Sequence, residues 1–217
     1  MAETAAQSRP PMETARLEAF SDNVLSIVIT LLAFNVSVPS IAKVDGHGLT
    51  SVLLQQWPVY VAYALSFLSI LVVWINHHHM FLVIQRIDHI FLLLNGLLLM
   101  VVAAVPFATQ LLSTYLLQPD KHVAQVIYSG LYLLMATMFV IMWVYASHRK
   151  RLLDPGTDDS AIRTVTKQVA IGPVVYLVAL GLAFLSAEAS LGLCIAVAVF
   201  FALPISVSRS SQDALEN

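Results

Sequence analysis

Six long stretches of this chain contain no lysine, arginine, aspartate or glutamate, and their spacing constrains the fold more than any other feature. They lie between Asp22 and Lys43, Asp45 and Arg86, Asp88 and Asp120, Lys121 and Arg149, Lys167 and Glu188, and Glu188 and Arg209. Each contains 20 residues or more, and about 20 helical residues cross the ~30 Å hydrocarbon core of a bilayer. The spacing predicts an all-α fold, a six-helix transmembrane bundle with helices at about 16–39, 50–79, 86–117, 122–150, 163–187 and 189–208.

The composition agrees with a membrane location. Of the 217 residues, 59% are hydrophobic and 11% are charged, whereas soluble domains carry roughly a quarter charged residues. The formal net charge of −2 argues against a nucleic-acid partner. The single cysteine, Cys194, lies in the sixth predicted span, so an intrachain disulfide is excluded.

The basic residues predict the orientation of the bundle. Nine of the 11 lie on the side shared by the N-terminus, the second and fourth loops and the C-terminus, and only Lys43 and Lys121 lie on the other side. The positive-inside rule therefore predicts that both termini are cytoplasmic. We expect a disordered leader over 1–15, a single membrane domain over 16–208 and a cytoplasmic tail over 209–217.

The first predicted helix carries an unusual stripe of side chains. With ~100° per residue and Ile27 at zero, Asn23, Thr30, Leu31 and Phe34 all fall within about 60° of Ile27. Ser21 and Asp22 fall on the other side, at about +120° and −140°. An unpaired amide is costly in lipid, so this stripe is expected to face protein or water.

Two arrangements explain such a stripe. If several copies of the helix met around an axis, Ile27, Leu31 and Phe34 would form three stacked apolar rings, with Asn23 and Thr30 as polar rings. Apolar rings of this kind gate a pore by dewetting and filter by size. The alternative is an ordinary buried seam between helices, in which apolar stripes are common and hydroxyl groups bond to their own backbone.

Three segments resemble a known family. Arg16, Phe20, Ser21 and Asp22 form the pattern R-x-x-x-F-S-D, followed by "SIVITLL" and, further on, by "WINHHHMF" and "RIDHIFLLLNGLLLMVVAAVPFAT". These segments resemble the transmembrane protein 175 family, the endosomal and lysosomal potassium channels and their prokaryotic relatives. The resemblance covers about residues 16–112, and six spans in one repeat look like the prokaryotic branch.

The resemblance implies a passive, potassium-selective or potassium-preferring cation channel in a prokaryotic cell membrane. It implies a homotetramer whose first helices line the pore, with Ile27, Leu31 and Phe34 as the constriction and Thr30 favouring potassium. No T-V-G-Y-G filter occurs in the chain. Two positions depart from the family pattern: Phe34 replaces a smaller aliphatic residue, and Asn35 stands where an acidic residue is often found.

The same resemblance implies a role for the other face of the first helix. Arg16, Phe20, Ser21 and Asp22 belong to the motif, and the polar members are expected to join a network with Trp74 and His77 of the second helix. This network would brace the pore helix against its surround. The expected partners of the protein are potassium and other monovalent cations, the lipid bilayer and further copies of the chain.

The histidine run is the main candidate for other chemistry. His77, His78 and His79 point ~100° apart on a helix and cannot all bind one ion, so we expect neither a metal site nor a cofactor. Asp88 and His89 are close enough in sequence to join one of them. A proton-sensing role suits these histidines better, because histidine titrates near neutrality.

Two other functional classes compete with a channel. A secondary transporter or proton pathway normally places ionisable groups near the bilayer midplane, where this chain has no lysine, arginine, aspartate or glutamate. An intramembrane enzyme would need the cytoplasmic set of Asp22, His77, His78, His79 and Asp88 to be catalytic, and no nucleophile motif accompanies it. We therefore expect that the protein is not an enzyme.

Overall fold

The computed structural model describes residues 12–44, 46 and 48–202. Within these residues the chain forms α1 (Met12–Leu32), α2 (Ile41–Val44), α3 (Leu49–Gln55), α4 (Trp57–Val83), α5 (His89–Ala103), α6 (Val105–Tyr115), α7 (Lys121–Ser147), α8 (Asp159–Leu185) and α9 (Ala187–Ala202). The 3₁₀ turn Ala33–Asn35 extends α1, and a short turn over His148–Lys150, with left-handed backbone at Arg149 and Lys150, follows α7. The predicted all-α class is confirmed, and β-pairing in the described residues is limited to one bridge between Ile84 and Leu153.

Five described segments are long and apolar enough to cross a membrane: Glu13–Asn35, Trp57–Val83, His89–Tyr115, Lys121–Lys150 and Ile162–Leu185. They correspond to the first five predicted spans. The sixth corresponds to the apolar helix α9, which is described as far as Ala202. The rest of that predicted span, the predicted tail 209–217 and residues 1–11 of the predicted leader lie outside the described residues. Helix α1 begins at Met12, inside the segment 1–15 that was expected to be disordered.

Prolines divide two of the spans. Pro58 and Pro106 each stand at the second position of a helix, just after breaks at Gln56 and Ala104. A proline has no N–H to donate and its ring crowds the preceding turn, so a helix readily restarts at such a position. Pro173 differs, because it lies inside the continuous helix α8. The third predicted span is therefore two helices, α5 and α6.

Three segments meet at the end of the bundle where α1 begins. The amides of Gln85 and Arg86 donate to the Leu152 carbonyl at 2.9 and 3.1 Å, and the Thr14 hydroxyl donates to the Gln85 carbonyl at 3.4 Å. We call this the basic end, because its side chains include Arg16, Arg86, Arg149, Lys150 and Arg151. The loops that the charge pattern assigned to one side of the membrane thus lie side by side.

The opposite end is held by an ion pair. Lys121 at the start of α7 pairs with Glu188 at the start of α9, and the Ser186 hydroxyl also donates to Glu188, at 3.0 Å. Ser186 in turn accepts from the Ala189 amide at 3.1 Å, which satisfies a free donor at the helix start. Glu188 is exposed, yet it joins two helices that are far apart in the sequence.

Helix α7 occupies the centre of the described bundle. It packs against α5, α6, α8 and α9, and its Tyr128, Tyr132, Met135 and Trp143 are almost fully buried. Helices α7 and α8 approach closely at Gly172, where an added Cβ atom would lie 3.2 Å from the Ala136 Cβ. Small residues at such a crossing allow the close van der Waals packing that holds membrane helices together. Helix α1 packs chiefly against α4 and α5.

Candidate pore surface on the first helix

Helix α1 has one buried face and one exposed face. Ser21, Leu25, Val28 and Leu32, spaced four, three and four residues apart, are between 0% and 2% exposed. This spacing places them on one side of the helix, which packs against α4 and α5. The rest of the chain that the structure describes therefore fixes α1 by this face alone.

The predicted constriction residues lie on the other face. Ile27 is 56% exposed, Leu31 is 43% exposed and Phe34 is 82% exposed. Asn23 and Thr30 are also exposed. Residues that were expected to share a face therefore do so, and no described part of the same protomer covers them. A seam within one protomer is excluded for the described residues, which leaves lipid, a second copy or a pore as the surroundings of the stripe.

The two polar residues of the stripe differ in how their polar groups are satisfied. The Thr30 hydroxyl donates to the Ile27 carbonyl one turn earlier, at 2.7 Å, as hydroxyl side chains in membrane helices commonly do. The Thr30 oxygen keeps accepting capacity on the exposed face. Asn23 makes no side-chain hydrogen bond with the described residues. An amide in that position is poorly suited to hydrocarbon, so the stripe is better suited to water or to polar groups of another copy.

A buried polar chain joins the other face of α1 to the neighbouring helices. The Asn95 side-chain amide of α5 donates to the Ser21 hydroxyl at 2.9 Å, and Ser21 donates to the Leu17 carbonyl at 2.9 Å. The Asn95 carbonyl oxygen lies 3.1 Å from Nε2 of His77 on α4. Because that oxygen only accepts, Nε2 is the protonated nitrogen of the imidazole. Three helices are thus linked through three side chains that are at most 1% exposed.

The other ring nitrogen of His77 is unusual. Its Nδ1 atom is buried and has no hydrogen-bond partner among the described residues. The ring stacks on Phe81 at 4.6 Å between centroids and meets the edge of Phe139 at 6.2 Å. An imidazole that packs between two phenyl rings and donates from one nitrogen is held in one tautomer and one orientation.

A second set of contacts joins α1 to α4 alone. The Trp74 indole donates from Nε1 to the Asp22 carboxylate at 3.0 Å. One turn further along α4, Nδ1 of His78 lies 2.9 Å from the Glu18 carboxylate, and the Trp74 and His78 rings stack at 6.1 Å. These contacts fix the rotation of α1 about its axis, because Glu18 and Asp22 lie one turn apart on the side of the helix that faces α4.

Two motif residues lie outside this network. Arg16 is exposed and makes no hydrogen bond or ion pair within the described residues, in contrast to the expectation that it would join the brace. Phe20 is 58% exposed. Seven residues separate Phe20 from Ile27, which places Phe20 about 20° from the centre of the stripe. Phe20 therefore lies on the exposed face, closer than Asn23 to the basic end.

The three consecutive histidines diverge as helical geometry requires. His77 is buried against Asn95, His78 contacts Glu18, and His79 is exposed. No group of three or more histidine, cysteine, aspartate or glutamate side chains is placed to hold a metal ion in the part of the chain that the structure describes.

Asp88 does not join these histidines. It lies at the start of α5, where it accepts a hydrogen bond from the Phe91 amide at 2.9 Å.

The far end of α1 is tied to the break in the third span. The Asn35 side-chain amide donates to the Pro106 carbonyl at 3.2 Å, and Asn35 itself ends the 3₁₀ turn that follows α1. Asn35 therefore makes a structural contact at the position where the resemblance led us to expect an acidic residue.

Sequence reasoning missed Asn95, Glu18 and His78 as members of the network. The sequence does indicate a role for Asn95, because a lone amide in an otherwise apolar span needs a buried partner. It gives less indication that Glu18 and His78 pair, since their pairing depends on how two helices that are distant in sequence align. Phe20 was expected only as a motif residue, although its spacing of seven residues from Ile27 also places it on the stripe.

The sequence and the fold are both similar to those of known potassium channels. The family model described as "Endosomal/lysosomal potassium channel TMEM175" matches residues 16–106. A potassium channel of Chamaesiphon minutus is 47% identical over 88% of this chain and 94% of its own length, and a potassium channel of Streptomyces collinus is 43% identical over 82% and 86%. The crystal structure of a lysosomal potassium-selective channel TMEM175 homolog from Chamaesiphon minutus superposes with a TM-score of 0.82 at 44% identity, over 88% of this chain and 97% of that one.

Proposed function

Because this chain belongs to the TMEM175 family, in its prokaryotic branch, we propose that it is a potassium channel that conducts passively through a pore lined by α1. The observation that carries the proposal is the two-faced character of α1. One face is fully packed within the protomer, while the other presents Ile27, Leu31 and Phe34 uncovered. The family is one of ion channels, which are not enzymes.

The pore is formed by several copies of the chain. In this proposal four protomers meet at α1, and the exposed stripes converge on the axis. The rise of ~1.5 Å per residue places Ile27 and Leu31 about 6 Å apart along the axis and Leu31 and Phe34 about 4.5 Å apart. Three apolar rings thus occupy about 10 Å of the pathway, a length over which a narrow pore excludes bulk water.

Polar groups flank and interrupt the apolar rings. Asn23 lies about 6 Å from Ile27 toward the basic end and offers an amide to a hydrated ion. The Thr30 hydroxyl already donates to Ile27, so its oxygen can accept from water or face a cation between the first two rings. Phe20 extends the stripe toward the basic end and adds an apolar surface at the entrance.

The hydrogen-bond network on the other face of α1 keeps the stripe facing the pore axis. The Asp22–Trp74 and Ser21–Asn95 contacts fix the rotation of α1, and a change of one residue in register would turn the stripe by ~100° away from the axis. This is the role of Ser21, Asp22, Trp74 and His77 in the proposal. Asn95 belongs to the same set.

The protein is an integral membrane protein. We place the basic end at the cytoplasmic face of a prokaryotic inner membrane, since lysine and arginine are retained on that side. With α1 beginning there, the Ile27 ring lies near the middle of the span and the Phe34 ring lies toward the outer face.

A proton pathway is the second candidate, and the buried His77 favours it. This ring lies inside a membrane span with one nitrogen unpartnered among the described residues. An ionisable group in such a position is a typical element of proton relays. A proton- or ion-coupled secondary transporter would use such a group in an alternating-access cycle.

The test is the reversal potential of the protein in proteoliposomes under opposed potassium and sodium gradients. Potassium conduction through α1 predicts a reversal potential near that for potassium, and Ile27→Asn should move it toward zero. Ser26→Asn is the control, because Ser26 is exposed on α1 about 100° from Ile27. A current that requires a proton gradient, or equal effects of both substitutions, would refute the proposed pore.

A further inference from the structure

A groove runs along the exposed face of α7 toward the basic end, and it is separate from the α1 stripe. We call it the α7 groove. Its volume is about 430 Å³, and it is lined by Val140, Ile141, Val144, Tyr145, His148 and Arg151. The first four provide an apolar wall about one and a half helical turns long, and the last two provide nitrogen donors at its end.

The chain turns sharply at the end of α7 to place Arg151. Arg149 and Lys150 adopt consecutive left-handed conformations, with φ of 54° and 53°. This conformation is rare for residues other than glycine and persists where surrounding contacts hold it. Lys150 makes such contacts: its Nζ lies 3.0 Å from the Asp159 carboxylate and donates to the Thr157 carbonyl at 2.8 Å. The turn is therefore pinned, and it brings Arg151 back beside α7.

The Arg151 side chain is held in place with part of its donor set free. Its Nη2 lies 3.1 Å from the Asp88 carboxylate, and its guanidinium carbon lies 4.9 Å above the Tyr145 ring. The Tyr145 hydroxyl donates to the same carboxylate oxygen at 2.6 Å. A guanidinium has five N–H donors, so Arg151 can donate to Asp88 and still bind an anion with its remaining N–H groups.

We propose that the α7 groove binds an anionic phospholipid, with the phosphate on Arg151 and His148 and an acyl chain along Ile141 and Val144. The groove belongs to a membrane-spanning helix, so its occupant must be apolar over most of its length. The basic groups at its end match a negative headgroup at the cytoplasmic surface, where anionic lipids attract lysine and arginine. This charge complementarity, absent along the rest of the groove, selects an anionic amphiphile.

A second copy of the chain fits the groove less well. The assembly proposed above uses α1, which packs chiefly against α4 and α5, whereas α7 packs against α5, α6, α8 and α9. The groove is thus formed by α7 and the turn after it, and its lining includes no residue of the α1 stripe. Lipid binding in the α7 groove does not require ion conduction, so it can be measured independently of the proposed pore.

The experiment measures lipid retention by native mass spectrometry. The delipidated protein is titrated with dioleoylphosphatidylglycerol and separately with dioleoylphosphatidylcholine, which differ in headgroup charge and share their chains. We expect tighter binding of phosphatidylglycerol, and Arg151→Gln should weaken it by about fivefold, the effect of one basic residue at an anionic surface. Glycerophosphate, which has the phosphate without the chains, should not compete.

Arg149→Gln is the matched control, because Arg149 belongs to the same basic cluster and does not line the groove. It should leave the preference for phosphatidylglycerol unchanged. His148→Gln tests the site without disturbing Asp88, and Val144→Trp tests the apolar wall by filling it; both should weaken binding. Equal binding of the two lipids, equal losses in Arg149→Gln and Arg151→Gln, or cross-linking of two protomers through Val144→Cys would overturn the proposal.

Discussion

Replacing Asn95 with leucine tests the buried network that fixes α1. Leucine has nearly the same shape, so the change removes two hydrogen bonds, to Ser21 and His77, without opening a large cavity. Hydrogen bonds between membrane helices contribute about 0.6 kcal/mol each on average, which is the expected loss for the bond to Ser21. Ser21 keeps its bond to the Leu17 carbonyl. The Nε2–H of His77 would be buried without an acceptor, and for this bond the expected loss is therefore larger, ~1–3 kcal/mol.

We therefore expect Asn95→Leu to lower the free energy of unfolding by about 2–4 kcal/mol. The assay is reversible unfolding by sodium dodecyl sulfate in mixed micelles, followed by circular dichroism. Asn76→Leu is the control, because the Asn76 side chain bonds only to the Val72 carbonyl of its own helix, and a loss of less than ~1 kcal/mol is expected there.

The double variant Asn95→Leu, His77→Phe sharpens the test. With both polar partners replaced by apolar groups, most of the destabilisation should disappear, since an apolar pair leaves no orphaned donor. The non-additivity measures the coupling between the two side chains. Equal unfolding free energies for Asn95→Leu and Asn76→Leu, or strictly additive effects in the double variant, would refute the argument that this network stabilises the bundle.

Leu25→Ala should lower the free energy of protomer unfolding by about 2–5 kcal/mol, because Leu25 is 1% exposed. Ile27→Ala, on the exposed face, should leave this free energy nearly unchanged. Detergent unfolding of both variants checks the prediction. Trp74→Phe removes the bond to Asp22 and should cost about 0.5–1.5 kcal/mol in the same assay. Partial desolvation favours the neutral acid of Asp88, yet hydrogen bonds from Tyr145 and the Phe91 amide and the charge of Arg151 outweigh it and hold its pKa below the ordinary 3.8. Its contribution to stability is thus present above pH ~4 and lost as the pH falls through the lowered pKa, and Asp88→Asn should remove this part of an acid-unfolding profile.

The spans of this protein could be read from the sequence because charge is expensive in hydrocarbon. The gap between Asp22 and Lys43 predicted the first helix, and the charge-free stretch before Asp120 predicted the third. The break at Ala104 was less predictable, since a proline such as Pro106 bends some membrane helices and divides others.

Side-chain partners were harder to predict than helices. Ser21 and Asp22 were expected to face away from the stripe because a helix has a fixed angular period, and they do. Asn95 and Glu188 find partners on helices many residues away, and no periodicity within one helix indicates how two helices align. Arg16 was assigned to the network by its motif, although a long charged side chain at a helix start is readily accommodated by solvent.

The division of α1 into a packed face and an exposed face has a consequence for how this protein can vary in evolution. A substitution at Leu25 or Ser21 disturbs the interior of every protomer, so such positions are constrained by folding. A substitution at Ile27, Leu31 or Phe34 disturbs few contacts inside the protomer. Natural selection can therefore alter the exposed surface in small steps, at little risk to the fold that carries it.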